Sequence, residues 1–404
     1  MSLEERLQEE IAAMEPELIA IRRQFHRHPE LGEAEETTSR MIRDYLEKWE
    51  IPYQYPVAGN GIVALLSGER AEDAGSTVAL RADIDALPLT EDPGRPYCSL
   101  NPGVMHACGH DAHITIALGV AKILKAHAGE WSGCMKFFFQ PAEETVGGAE
   151  PMIREGCMEN PHVDYVIGLH VMPTWEAGEV EYRYGKLNAS TDEIHIRILG
   201  KGCHGAYPDT GTDAIVMAGA VIESLQSLVS RNISPLNQAV LTLGTIHGGT
   251  AGNIIAGQVD MTGTLRTTDP ATRQFCWDAI TRITEHTCLA YGGRGEAEIT
   301  PGYAALINTP EMVDLLVETA SAVVGPAHLH PKEAPSLGGE DFSFFLEKAP
   351  GVFWHLGCAC REKGITAPLH SAQFDIDESC LKLGVRIQTL LALRLLSRLP
   401  GQEK

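Results

Sequence analysis

The chain has 404 residues, 44% of them hydrophobic, with 32 Lys and Arg against 54 Asp and Glu for a formal net charge of −22. A chain this long exceeds the size at which one core usually stops growing, so two domains are expected. The acidic balance repels phosphate backbones and anionic lipids, which argues against nucleic acid and membranes as partners.

The chain opens on the acidic amphipathic stretch MSLEERLQEEIAAMEPEL, unlike a secretory signal, and no apolar run is expected to reach the roughly 20 residues of a bilayer span. A cytoplasmic location is therefore expected. The ten cysteines read as free thiols or ligands rather than a disulfide framework, and Cys358 and Cys360 stand too close for an ordinary bridge. Apolar residues recur at helical spacing over 4–23 and 36–49, and GIVALLSG and STVALRADIDALP follow as strands. The α/β rhythm continues with a helix over 113–126, a strand over 134–140 (CMKFFFQ), a helix over 149–155 and a strand over 163–171 (VDYVIGLHV). Uninterrupted apolar strands point to a mostly parallel central sheet covered by helices on both faces.

After Gly185 the pattern changes. Residues 191–199 (TDEIHIRIL) alternate with period two, 211–230 are helical, 239–247 and 254–267 are strands joined through GGTAGN, 269–291 are helical, and 296–300 form a last strand. This β-α-β-β-α-β order is the split βαβ, or ferredoxin-like, arrangement. The reading is an α/β protein with a discontinuous host domain, 1–185 and 302–404, and an inserted domain, 186–301. The host resumes with a helix over 309–324, the loop LGGEDFSFF, the strand GVFWHLGC and a helix from near Asp377.

Polar residues collect at the carboxyl ends of the host strands, the edge where open α/β sheets bind ligands. Asp83 and Asp85 follow STVALRA, Glu143 and Glu144 follow CMKFFFQ, His170 ends VDYVIGL, and His370 lies beyond GVFWHLG. Cys108 and His110 enter the next helix in MHACGHDAH. Such a crowd of carboxylates, imidazoles and a thiolate requires a cation to neutralise it. Cys and His suit zinc and its neighbours in the first transition row, and mixed ligands support two ions about 3.5 to 4 Å apart. Neighbouring side chains on an extended loop diverge, so Glu144 is assigned as ligand and Glu143 as general base, an order that spacing leaves open. Asp85 is placed to orient a ligating histidine from behind.

Each residue also has a plainer reading. Cys108 alone is a small apolar side chain, a Glu-Glu pair a solvated surface, and His170 a hydrogen-bonded core histidine. Their shared placement favours the metal site, while His106, His113, His162 and His355 are read as structural or exposed. In the inserted domain, His204 lies in GKGCHGAYP, Asn253 in GGTAGN and Arg266 at the end of TGTLR, where they could bind an anionic substrate group. Equally, Asn253 could cap a turn and Arg266 pair with a surface carboxylate.

The ordered motifs RRQFHRHPELG, MHACGHDAH, QPAEE, LHV, GKGCHGAYP, GTAGNIIA, LGGEDFSFF and PLHSAQF resemble the metal-dependent amidohydrolases of the aminoacylase type. The nearest branch is that of the hippurate hydrolases and indole-acetyl-amino-acid hydrolases. The resemblance covers nearly the whole chain. It implies two divalent ions (Zn, Mn, Ni or Co) on Cys108, His110, Glu144, His170 and His370, with Glu143 as catalytic acid/base. In the wider superfamily a histidine ligand stands at the position of Asp83, and this branch uses its cysteine instead. The resemblance further implies that the inserted domain is a lid and homodimer contact, that His204 polarises the scissile carbonyl, and that Asn253 and Arg266 bind substrate. Ala256 departs from the proline found in many relatives. The implied reaction is hydrolysis of a small-molecule N-acyl amino acid. A dipeptidase, a cysteine hydrolase built on Cys108, and a non-catalytic binder of acyl-amino acids are the alternatives.

Overall fold

The computed structural model describes residues 2–70 and 75–398, divided into two compact units. The first comprises Met1–Gly185, Asn308–Glu333 and Phe344–Lys404, and the second Lys186–Ile307 and Ala334–Ser343. The second unit is thus not the single insertion expected, because the stretch over 334–343 also belongs to it. Hydrogen bonds explain this membership: the N–H of Ala189 and the carbonyl of Ser336 pair at 2.9 Å, and Asn188 donates to the carbonyl of Gly338.

The first unit begins with helices α1 (Leu3–Ala13) and α2 (Glu15–Arg27), where one long helix was expected. Pro16, in the first turn of α2, lacks the N–H that would continue α1, so the chain breaks at Met14. Helix α3 (Glu36–Lys48) leads to a hairpin of β1 (Tyr53–Val57) and β2 (Gly61–Ser67), of which β1 was not expected. There follow β3 (Thr77–Asp83), α4 (His110–Ala126), β4 (Cys134–Gln140), α5 (Ala149–Arg154), β5 (Tyr165–Glu176) and β6 (Val180–Tyr182).

After a short strand β7 (Gly185–Asn188), the second unit runs β8 (Ser190–Leu199), β9 (Cys203–His204), α6 (Ala214–Ser227), β10 (Ala239–Gly248), β11 (Ile254–Ile255), β12 (Gln258–Thr267), α7 (Pro270–Ala290) and β13 (Arg294–Pro301). The chain then makes β14 (Leu306–Asn308), α8 (Pro310–Val324), β15 (Leu329–Pro331), α9 (Ser343–Leu346), β16 (Gly351–Ala359) and α10 (Cys380–Leu396).

The sheet of the first unit has the order β1-β2-β4-β3-β5-β16-β6-β15. Strands β4, β3, β5 and β16 are mutually parallel, and every residue of β3 and β16 is buried, as continuous apolar strands require. The sheet is mixed, because β1–β2, β2–β4 and β6–β16 pair antiparallel while the other neighbours pair parallel. The three-residue link between β1 and β2 decides one of these, since a connection that short joins only antiparallel neighbours. Helix α4 is buried on nearly all sides, packed against α2 and α10.

The second unit has a four-stranded antiparallel sheet ordered β10-β12-β8-β13. The helical stretch Ala214–Asn232 is long and apolar enough to cross a bilayer, which corrects the expectation that no run is. Ala214, Met217, Ala218, Val221, Leu225 and Leu228 bury one stripe of it in this unit's core, at the spacing of an amphipathic helix.

Candidate metal centre

Residues distant in sequence converge beside the carboxyl ends of β3, β4, β5 and β16. Gly109, at φ +84°, caps the start of α4 in a conformation suited to glycine. A Cβ there would also lie 2.3 Å from the Val171 side chain. This turn leaves Cys108 in the loop and makes His110 the first residue of the helix, three residues earlier than expected. Glu143 and Glu144 follow β4, and His370 lies in the loop beyond β16. His170 is not at a strand end: β5 continues to Glu176, so the imidazole projects from within the strand.

Cys108 Sγ lies 3.3 Å from both His170 Nε2 and His370 Nε2. Glu144 Oε1 is 3.3 Å from His370 Nε2 and 3.9 Å from His110 Nε2. Ligand atoms of Cys108, His110 and His170 lie within 4.8 Å of one another, as do those of Cys108, Glu144 and His370, and those of His110, Glu143 and Glu144. His110 Nε2 and Glu144 Oε1 are buried polar atoms without a hydrogen-bond partner. Native interiors leave few such atoms, so a cation between them fits the donor set. The Nδ1 of His110 donates to the Asp85 carbonyl at 2.9 Å and lies 3.2 Å from its carboxylate, which leaves Nε2 directed at the cluster.

The electrostatics match this crowding. Burial pushes the Cys108 thiol well up, and it pushes His170 well down, with His113 adding to the effect. Burial also opposes charge on His110, but Asp83 and Asp85 outweigh it and hold the imidazole well above its ordinary value. His370 is raised by the Glu144 carboxylate beside it. Burial opposes the Glu144 carboxylate, yet His370 and His110 draw its pKa below the usual range.

Supporting residues surround the cluster: His113, read from the sequence as structural or exposed, and Arg81, Arg22, His26 and Asp111, which that reading left unassigned. Arg81 Nη1 donates to Asp83 Oδ2 at 2.6 Å, and His113 Nδ1 donates to Asp83 Oδ1 at 2.6 Å, so Asp83 is held on both sides. Arg22 Nε and His26 Nδ1 reach Asp111 Oδ2 at 2.7 and 2.8 Å, beside His110. The signal was present: Arg22 and His26 stand four apart on the face of α2 that also buries Leu18, Ile21 and Phe25.

In the second unit, His204 on β9 pairs with Ile254 on β11, and the N–H of Gly205 donates to the Asn253 carbonyl at 2.8 Å. His204 and Asn253 are thus neighbours, both exposed. Arg266 is not with them: it sits opposite Thr191 and Val240, near the other end of β12 from Gln258, and donates to the Leu265 carbonyl.

Residues 79–394 match the family model "Peptidase family M20/M25/M40". The chain is 37% identical over 398 residues to thermostable carboxypeptidase 2 of Saccharolobus solfataricus, covering 98% of this chain and 99% of that protein. It is 36% identical over 375 residues to N-acetyl-L-cysteine deacetylase of Bacillus subtilis, covering 92% of this chain and 86% of that one. The crystal structure of the Bacillus subtilis YXEP protein, described as a dinuclear metal binding peptidase of the M20 family, superposes with a TM-score of 0.82 at 32% identity, covering 96% of this chain and 100% of that one. With the fold, the donor cluster and these relatives in agreement, the chain belongs to peptidase family M20/M25/M40 and is a hydrolase of amide bonds.

Proposed function

We propose that this enzyme hydrolyses N-acyl amino acids, with an aliphatic or aromatic acyl group, to a carboxylic acid and a free amino acid. One observation carries the reading: the Cys108 thiol, the imidazoles of His110, His170 and His370 and the carboxylates of Glu143 and Glu144 fall into overlapping groups at ligand distance, and this reading gives the ions to Cys108, His110, Glu144, His170 and His370 and leaves Glu143 for the water. Two divalent ions (Zn, Mn, Ni or Co) on those five residues would supply Lewis acidity and an acidified water. Glu143 takes the proton of the attacking water and returns it to the departing amine. His204 polarises the scissile carbonyl, and Asn253 and Arg266 bind substrate at separate points of the second unit. The element order and the sheet order β10-β12-β8-β13 support a ferredoxin-like second unit, which this reading makes a lid and a homodimer contact.

The test is turnover of a panel of acetyl-amino acids, hippurate and dipeptides before chelation, after it, and after restoration of single metals. Loss and recovery of acyl-amino-acid hydrolysis are expected. Glu143→Ala should keep its metal and lose turnover by roughly 10²- to 10⁴-fold. Near-normal kcat in that variant with metal bound would refute the assignment of the base. The 37% identity to a carboxypeptidase favours peptide hydrolysis as a second reading, and preference for dipeptides in the panel would establish it.

A further inference from the structure

The mechanism above gives no role to a buried carboxylate that holds the peptide before the base, Glu35. Glu35 is fully buried at the start of α3. Its Oε1 accepts the N–H of Ala142 at 2.8 Å, and its Oε2 accepts from Asn60 Nδ2 at 3.3 Å. Ala142 immediately precedes Glu143 and has φ +58°, a left-handed conformation that residues with a Cβ rarely adopt. On the other side of Glu143, the N–H of Glu144 donates to Asp85 Oδ2 at 2.9 Å. Glu143 therefore sits between two peptide N–H groups, each held by a buried carboxylate.

The stretch leading to Glu35 closes on the same loops. Leu31 bridges Ala86 in parallel, and the N–H of Ala86 donates to the Glu30 carbonyl at 2.8 Å. Gly32 is pressed against the glutamate loop: a Cβ there would lie 2.4 Å from Thr145 Oγ1 and 3.1 Å from the Ala142 Cα. The HPELG segment and Glu35 thus grip the strand-end turns that carry Asp85 and Glu143.

We propose that Glu35 is a positioning residue for Glu143, acting through the Ala142 N–H to hold the left-handed turn that aims the base. The proposal rests on Glu143 being the base. A side chain held in productive geometry by its neighbours loses rate when displaced by an ångström, even where the displaced group is otherwise intact. Burial holds the Glu35 carboxyl above the ordinary carboxylate range, with Asp85 adding to the shift. The Gln side chain retains an oxygen able to accept from Ala142.

The experiment compares Glu35→Ala, Glu35→Gln, Gly32→Ala and Glu143→Ala as full-length, metal-loaded enzyme. It measures kcat, KM, bound metal by elemental analysis, and melting temperature. Glu35→Ala is expected to lose roughly 10- to 100-fold in kcat with KM and metal content retained. Glu35→Gln should restore kcat, and Gly32→Ala, which pushes on the turn from the opposite side, should show the same loss as Glu35→Ala. Wild-type kcat in folded Glu35→Ala, or metal loss in proportion to the activity loss, overturns the proposal. If Glu35→Ala does not fold, Gly32→Ala decides on the same criteria. An active, metal-bound Glu143→Ala instead refutes the assignment of the base itself.

Discussion

His113 and His170 hold the two ends of one residue: His113 Nε2 accepts the N–H of Val171 at 2.9 Å, and His170 Nδ1 donates to the Val171 carbonyl at 2.6 Å. Because Nε2 of His113 accepts, its Nδ1 carries the proton donated to Asp83. Because Nδ1 of His170 donates, the free lone pair of that ring is on Nε2, which faces Cys108.

This coupling predicts that His113→Gln weakens metal binding by roughly 10- to 100-fold, the usual effect of losing a group that orients a ligand. Calorimetric titration of the metal-free protein measures it. Unchanged affinity would mean that His170 is held without His113.

Cys108 is predicted to act as a ligand, not a nucleophile. Burial raises its thiol pKa, so without a cation it is a poor thiolate. Alkylation of Cys108 should be slow with metal bound, where its sulfur is a ligand, and slow without it, where burial keeps the thiol protonated, and Cys108→Ser should bind metal more weakly. Activity that survives complete chelation and disappears on alkylation would favour a cysteine hydrolase.

Acid stability should depend on Glu91, which accepts from His26 Nε2 at 3.2 Å, Arg95 Nη1 at 3.1 Å and the N–H of Ser99 at 2.7 Å. Burial opposes its charge, but these partners lower its pKa from 4.5 to about 2. A depressed folded pKa stabilises above the unfolded value and is lost as pH falls through the folded one. Glu91→Gln should therefore be less stable than wild type by about 1 to 3 kcal/mol near neutral pH, with the gap closing between about pH 4.5 and pH 2. Melting temperatures across that range give the comparison, and a gap independent of pH would contradict it.

In the second unit, Arg273 donates to the fully buried side chain of Asp192 at 2.8 Å and to the carbonyls of Thr191 and Gly302. Arg273→Met leaves an unpaired buried carboxylate, at a cost of about 3 to 5 kcal/mol. Thermal unfolding should show the loss, and Asp192→Asn combined with Arg273→Met should recover part of it. No recovery would mean that the carbonyl contacts dominate.

Much of the fold was legible because burial writes itself into local pattern. CMKFFFQ and the alternation of TDEIHIRIL mark their strands from apolar spacing alone, and the donor-rich turns follow from where those strands end. The pairing direction of β2 against β4 was not legible, since both read equally well as central apolar strands. Nor was the membership of residues 334–343, which depends on backbone hydrogen bonds to the stretch around Asn188.

The amino-acid order by itself determined the chemical inventory: which thiol, imidazoles and carboxylates stand at turns after apolar strands, and that their charges require a cation if they meet. Only the tertiary structure decided how they are held. Asp83 is taken up by Arg81 and His113, the Asp85 carboxylate and carbonyl both face His110, and Glu35 grips the peptide before Glu143 from 107 residues away. The reason is physical: apolar periodicity is a short-range property of the chain, whereas a buried hydrogen bond is made by whichever distant donor the packed core brings to within about 3 Å.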